Sequence, residues 1–276
     1  MFLILSISYF LIFSFSHFLI SCEKEIDLDY HSVAAQYVVE ASITQNEAMA
    51  RITTTRDIEN NDRQSTYVEN AVAVVTSDWG LRDTLRYKGS GRYMSSVMGM
   101  FGQTYTLDVE IDGHHFTSSS QMQRVPTVNK CRLLWKEVMS MKLLFVEVEL
   151  QDTPDENNYY FIHVYRNNIG FRWAVMNDTK NPGGELQQLF GAGNENAVDD
   201  ASNSDALHAG DRIRVEIRSM DKRSYDYLFS MQQMNSSGTN PIDNFSGGCL
   251  GFFSAYGVIS ESFSVNLNNI PVEEED

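Results

Sequence analysis

From Tyr37 onward, apolar and polar residues alternate in short runs, interrupted about every eight to twelve residues by Gly, Asn or Asp. Period-two patterning turns one side of each run inward and the other outward, so the chain reads as mainly β. The first half predicts strands near Tyr37–Ile43, Ala50–Thr55, Ala71–Val75, Leu81–Tyr87, Gly91–Ser95, Gln103–Ile111 and His115–Ser119. Asp78-Trp79-Gly80 and Asp112-Gly113 put glycine where tight hairpins require positive φ.

Tyr105, Leu107 and Val109 share one face of their run. A tyrosine near the start of a late strand resembles the tyrosine corner of immunoglobulin-like sandwiches, whose hydroxyl bonds nearby backbone. Residues 36–125 are therefore expected to form an immunoglobulin-like β-sandwich. Pro126, which cannot pair inside a sheet, closes it. Residues 126–270 predict a second antiparallel, sandwich-like domain with strands near Val128–Trp135, Met141–Leu150, Tyr159–Arg166, Phe171–Met176, Arg212–Ser219, Cys249–Tyr256 and Val258–Val265. In Leu143–Leu150 charges alternate with apolar residues, which predicts an antiparallel sheet with one wet face. One packed helix is expected over 221–234, capped by Asp221, with Tyr225, Leu228, Phe229 and Gln232 at helical spacing and Gly238 and Pro241 beyond its end. Residues 271–276 read as an acidic tail.

The segment before this pattern is of another kind. Met1–Ser21 carries no Asp, Glu, Lys or Arg and is dominated by Leu, Ile and Phe. A secretory signal needs an apolar core of about 7–15 residues and a membrane span about 20, so length alone leaves both open. Leu19-Ile20-Ser21-Cys22 resembles a bacterial lipobox, in which residues 1–21 are cut away and Cys22 becomes a lipidated N-terminus; an uncleaved anchor is the alternative. Each buried methylene of the acyl chains would add roughly 0.8 kcal/mol to membrane attachment. The acids after Cys22 have too little apolar surface to fold alone, so residues 22–35 read as a flexible tether. A net charge of −16 argues against nucleic acid and against adsorption on anionic lipid. Of the three cysteines, Cys131 and Cys249 remain; a disulfide is one reading, and two buried thiols in strands is the plainer one.

The lipobox, the Tyr37-Val38-Val39-Glu40-Ala41 run and Gly102-x-x-Tyr105-x-Leu107-x-Val109 occur in a recognisable order. They are followed by Asn157-Asn158-Tyr159-Tyr160, Ser224-Tyr225-Asp226-Tyr227-Leu228 and the stretch from Asn240 through Gly247-Gly248-Cys249-Leu250-Gly251-Phe252-Phe253-Ser254-Ala255-Tyr256. Together they resemble the Bacteroidetes lipoprotein family catalogued as domain of unknown function 4249. The resemblance covers nearly all of the chain after Cys22. It implies a lipid-anchored envelope protein, often encoded near TonB-dependent outer-membrane transporters, and no defined activity. Cys249 stands where many relatives carry a small residue. Glu23-Lys24-Glu25 also resembles the phylum's signal for export to the cell surface, with a periplasm-facing leaflet as the alternative. Asp83-Thr84-Leu85 resembles its O-glycosylation site.

Motifs for chemistry are sparse. The chain has no Gly-x-Ser-x-Gly, no His-Glu-x-x-His and no Cys-x-x-Cys, and Gly191-Ala192-Gly193 lacks the third glycine of a dinucleotide fingerprint. His114-His115 should point to opposite faces of a strand, so no metal or other cofactor is expected there. The polar stretch Asn194–Asp205 has oxygens that suit calcium but lacks the glycine and terminal glutamate of an EF-hand, and it reads as a solvated loop. In Tyr159–Tyr165, Tyr160, Ile162 and Val164 share one face. Tyr159, Phe161, His163 and Tyr165 share the other, where aromatic rings and a histidine suit stacking on a sugar, with sheet core as the plainer reading. The expected function is a non-enzymatic lipid-anchored outer-membrane or cell-surface protein assisting a TonB-dependent barrel, with loops 177–210 and 235–248 toward ligand or transporter. The alternative is a stand-alone carbohydrate-binding or adhesion lipoprotein.

Overall fold

The computed structural model describes residues 35–55, 66–154, 157–237 and 241–273. The signal segment, Cys22 and all of the tether but Ala35 lie outside the described residues, as do the last acids of the tail. Seventeen strands follow one another along the described chain. They are β1 (Tyr37–Ile43), β2 (Ala48–Thr54), β3 (Val72–Ser77), β4 (Arg82–Thr84), β5 (Arg86–Tyr87), β6 (Arg92–Ser95), β7 (Thr104–Ile111), β8 (His114–Gln121), β9 (Thr127–Val138), β10 (Met141–Gln151), β11 (Tyr159–Arg166), β12 (Ile169–Asn177), β13 (Glu185–Asn194), β14 (Arg212–Met220), β15 (Leu250–Ala255), β16 (Gly257–Ser264) and β17 (Val272–Glu273). Two α-helices interrupt them, α1 (Glu195–Asp199) and α2 (Lys222–Ser237).

Four sheets pack in two pairs, and the mainly β, two-sandwich architecture expected from the alternation is what forms. In the first sandwich, sheet β15-β1-β2-β6-β5 faces sheet β4-β3-β7-β8 across a core that includes Val39, Ile52, Tyr93, Leu107 and Ile111. The Tyr105 hydroxyl accepts from the Met100 N–H at 2.8 Å and donates to Gln103 Oε1 at 2.9 Å, in a side chain with no exposed surface. The tyrosine-corner expectation is met. Asp112 and Gly113, both at positive φ, make the β7–β8 hairpin.

Two features of this sandwich differ from the sequence reading. Leu81–Tyr87, expected as one strand, splits at Leu85: β4 pairs with β3 in one sheet and β5 with β6 in the other. Leu85 is 4% exposed, so burying it between the sheets forces the chain to change sheet there. The second difference is larger. Residues 249–256, expected in the second domain, supply β15, which pairs in parallel with β1. Phe253 and Ala255 enter the first core beside Cys249 and Phe245. Gly251 permits the approach: its φ is +99°, and a Cβ there would lie 2.1 Å from the Val39 carbonyl oxygen.

The second sandwich stacks β13-β10-β9-β17 on β12-β11-β14-β16, with Leu144, Val146, Val148, Tyr160, Ile162, Val164, Val215 and Ile217 between them. β9, β10 and β13 run antiparallel, as the alternation predicts. The glutamates of β10 are not wet, however. Glu147 and Glu149 are 2% and 7% exposed, beneath Arg132 and Lys130, each paired at 2.6 Å. Residues 177–210, expected as a loop, contain β13 and α1. β13 buries Leu186, Phe190 and Ala192 on alternate positions, and its intervening glutamines and glycines conceal this in sequence. Asn194 caps α1 by accepting from the Ala197 N–H, and both ring nitrogens of His208 meet carbonyl oxygens, of Val198 and Asn203, at 2.9 Å. The polar stretch is thus folded back on itself.

α2 joins the two sandwiches, which lie in one compact unit. Asp221 caps it through the Ser224 N–H at 2.9 Å, as expected, and its other carboxylate oxygen accepts from the Gln121 N–H. Tyr225 packs on Tyr159 of the second sandwich, and Tyr227 stacks on Phe252 of the first. The Gln45 side chain adds a clamp, accepting from the Val258 N–H and donating to the Val258 carbonyl. Residues 241–248 are held as firmly: Asn244 accepts from Ser118, Arg223 and the Phe253 N–H.

Candidate functional site

Strand alternation sends Tyr159, Phe161, His163 and Tyr165 together to the outer face of β11, as the sequence predicts. They meet different fates. α2 covers the Tyr159 end, where Phe161, Met220 and Tyr225 form a small separate core. His163 and Tyr165 lie past its cover, half-buried. Tyr159 and Phe161 are therefore packing residues, and the accessible part of the candidate site is half of what the sequence suggested.

The neighbouring strands supply the rest. Register places Trp173 of β12 beside His163, and Glu216 and Arg214 of β14 beside His163 and Tyr165. The His163 and Tyr165 rings stack at 4.0 Å, and the Arg214 guanidinium lies 3.9 Å from the Tyr165 centroid. Arg218 sits between Phe161 and Tyr256, at 5.1 and 4.8 Å. Glu216 receives both arginines, at 2.6 Å from Arg214 and 2.9 Å from Arg218. Its burial favours protonation, but the two guanidiniums prevail and hold its carboxyl below the usual range. Burial, and next the charge of Arg218, push the His163 imidazole below its ordinary value, with Glu216 opposing. The ring is neutral at pH 7.

Sequence reasoning missed Trp173, Arg214, Glu216 and Arg218. Arg214-x-Glu216-x-Arg218 has the spacing of one strand face, but only the order β12-β11-β14 sets that face beside β11. Gly170 was missed as well. It lies opposite Tyr165 where the β11–β12 register shifts, and a Cβ there would come within 2.9 Å of His163 Nε2. The absent side chain lets the His163 ring pack directly on the Gly170 backbone.

The remaining candidates do not converge. Cys131 faces the second core and Cys249 lies in the first; both are free, so no disulfide joins them. Burial pushes each thiol up to about 12, which removes thiolate reactivity at neutral pH. His114 stacks on Phe116 and tilts against Tyr37, while His115 borders a separate shallow cleft with Asp108 and Glu110. Among the described residues no cluster of three metal-ligating side chains forms, and no helix is long and apolar enough to cross a membrane.

The family described as domain of unknown function (DUF4249) matches residues 23–262. No curated protein matches the chain.

Proposed function

The chain belongs to the DUF4249 family, and from that premise we propose that it is a non-enzymatic, lipid-anchored protein of the outer membrane, displayed at the cell surface, that assists a TonB-dependent nutrient transporter. The observation that carries this reading is the uncovered part of the β12-β11-β14 face. Trp, Tyr and Arg are the residues that dominate binding hot spots, and here Trp173, Tyr165 and Arg214 stand together on a rigid sheet. Two further features support it. The family match begins at residue 23, immediately after Cys22. The described chain enters at Ala35, beside the Tyr37–Asp112 hydrogen bond, at the end of β1 opposite the Gln45 clamp to the second sandwich. Among the described residues the perturbed carboxylates, Glu147, Asp200, Asp211 and Glu216, are all held ionised, the opposite of what a general acid requires.

Purification of the full chain in mild detergent tests the partner. An outer-membrane barrel should co-purify with the native chain and be lost when Trp173→Ala and Arg214→Ala are combined; its consistent absence from the native preparation refutes the reading. Cys22→Ala should abolish palmitate incorporation. Added proteinase should digest the protein on intact cells, and protection would move it to the periplasmic leaflet. A stand-alone carbohydrate-binding role is favoured by one observation, the part-exposed indole of Trp173 beside His163.

A further inference from the structure

The outer face of the β12-β11-β14-β16 sheet carries its charge unevenly. Alternation turns Arg212, Arg214, Glu216 and Arg218 of β14 outward, with Ser260, Ser262 and Ser264 beside them on β16. Three cations therefore face outward against one acid, in a chain whose net charge is −16. Glu261, the acid of β16, takes an inward position opposite Val215.

The arginines are not equivalent. Arg214 and Arg218 share Glu216, and the Tyr165 ring steadies the Arg214 guanidinium at 3.9 Å from its centroid. Arg212 is exposed and makes no ion pair among the described residues, while its backbone N–H donates to Asn167 Oδ1 at 2.9 Å. A guanidinium holds five N–H donors in a planar fork, so Arg212 and Arg214 both keep donors for a carboxylate. The two are separated by two strand positions, about 6.8 Å, which is also the spacing of alternate side chains on any extended segment. Their cross-strand neighbours, Ser264 and Ser262, are exposed and offer hydroxyls at the same spacing.

We propose that the β14–β16 side of this face docks an extended acidic segment of a partner protein, with alternate carboxylates on Arg212 and Arg214 and polar groups on Ser262 and Ser264. This rests on the reading that the face is a recognition surface, and it names the chemistry of the partner. Tyr165 on the neighbouring strand and Trp173 one strand further supply the aromatic contact that protein partners use. A lone phosphate has one anionic centre and no apolar part, so it would leave that contact unused. The net negative charge of the chain repels an acidic segment at long range. At about 0.15 M salt that field is screened beyond roughly 8 Å, so the groups in contact decide.

The test is fluorescence anisotropy of a labelled peptide of alternating threonine and glutamate, titrated with the full chain. The same peptide with lysine in place of glutamate is the control, and sodium phosphate is the competitor. The acidic peptide should bind saturably and the basic one should not. Affinity should fall about tenfold or more in Arg212→Gln, the loss expected for one charge-assisted contact, and likewise in Ser262→Asp, which sets a carboxylate opposite Arg214. Both positions are exposed, so thermal stability should stay nearly unchanged and loss of binding is not a folding defect. Arg92→Gln, at an exposed position of the first sandwich, should bind as the native chain does. Absence of binding by the acidic peptide overturns the proposal, as do binding that survives both substitutions and phosphate binding at Arg212 without peptide binding. A barrel that co-purifies equally with Arg212→Glu while the peptide fails to bind defeats only the acidic-segment assignment; peptide binding with no barrel defeats only the transporter partnership.

Discussion

Replacing Phe253 with alanine tests the least expected feature of the fold, that a strand near the C-terminal end completes the N-terminal sandwich. Phe253 is 1% exposed, lies opposite Ala41 in the parallel β1–β15 ladder, and packs into the core that holds Val39, Ile52 and Leu107. Removing a buried phenyl ring costs about 3–5 kcal/mol, the sum of lost burial and the void left behind. For a chain of this size that is about 6–20 °C in Tm. Thermal unfolding measures the total, and amide hydrogen exchange locates it. Protection should fall in β1 and β2, some two hundred residues upstream in sequence, and much less in β10 and β14. The opposite pattern, with β1 and β2 unchanged and β10 and β14 exposed, would show that residues 250–255 belong to the second sandwich and refute the topology.

Three further outcomes follow from particular residues. Tyr105→Phe removes the acceptor of the Met100 N–H and the donor to Gln103 and should cost about 1–3 kcal/mol, with faster exchange at the Met100 amide; an unchanged denaturation midpoint would contradict the tyrosine-corner role. Cys131 and Cys249, both with thiols pushed up to about 12, should resist alkylation in the native protein at pH 8 and react once it is unfolded; rapid native labelling of either would contradict its burial. For His163 the folded state disfavours the imidazolium, so the unfolded chain binds more protons and stability should rise with pH through the ordinary histidine range, about 5.5 to 7.5. His163→Phe should flatten that part of the pH dependence of Tm, and parallel curves for native and variant protein would refute the assignment.

The alternation of residues was enough to place most strands, the β7–β8 hairpin, the capped helix at Asp221 and the two faces of Tyr159–Tyr165, because each depends on neighbours a few positions away. Even there, composition misled where glutamine and glycine occupy strand positions, as in Glu185–Asn194. The sequence also carries the Gly251-Phe252-Phe253-Ser254-Ala255 run, without revealing that its role is to close a distant sheet.

Which strands become neighbours was decided only in three dimensions. A strand's hydrogen-bonding edges are chemically alike, so its partner is set by which buried faces fit together rather than by local pattern. That choice moved β15 into the first sandwich and divided Leu81–Tyr87 between two sheets. It also laid α2 over Tyr159 and Phe161 while leaving His163 and Tyr165 beside Trp173, Arg214 and Gly170. The aromatic stripe was legible from its own seven residues; the part of it left free to bind was fixed by the strands on either side and by the helix across it.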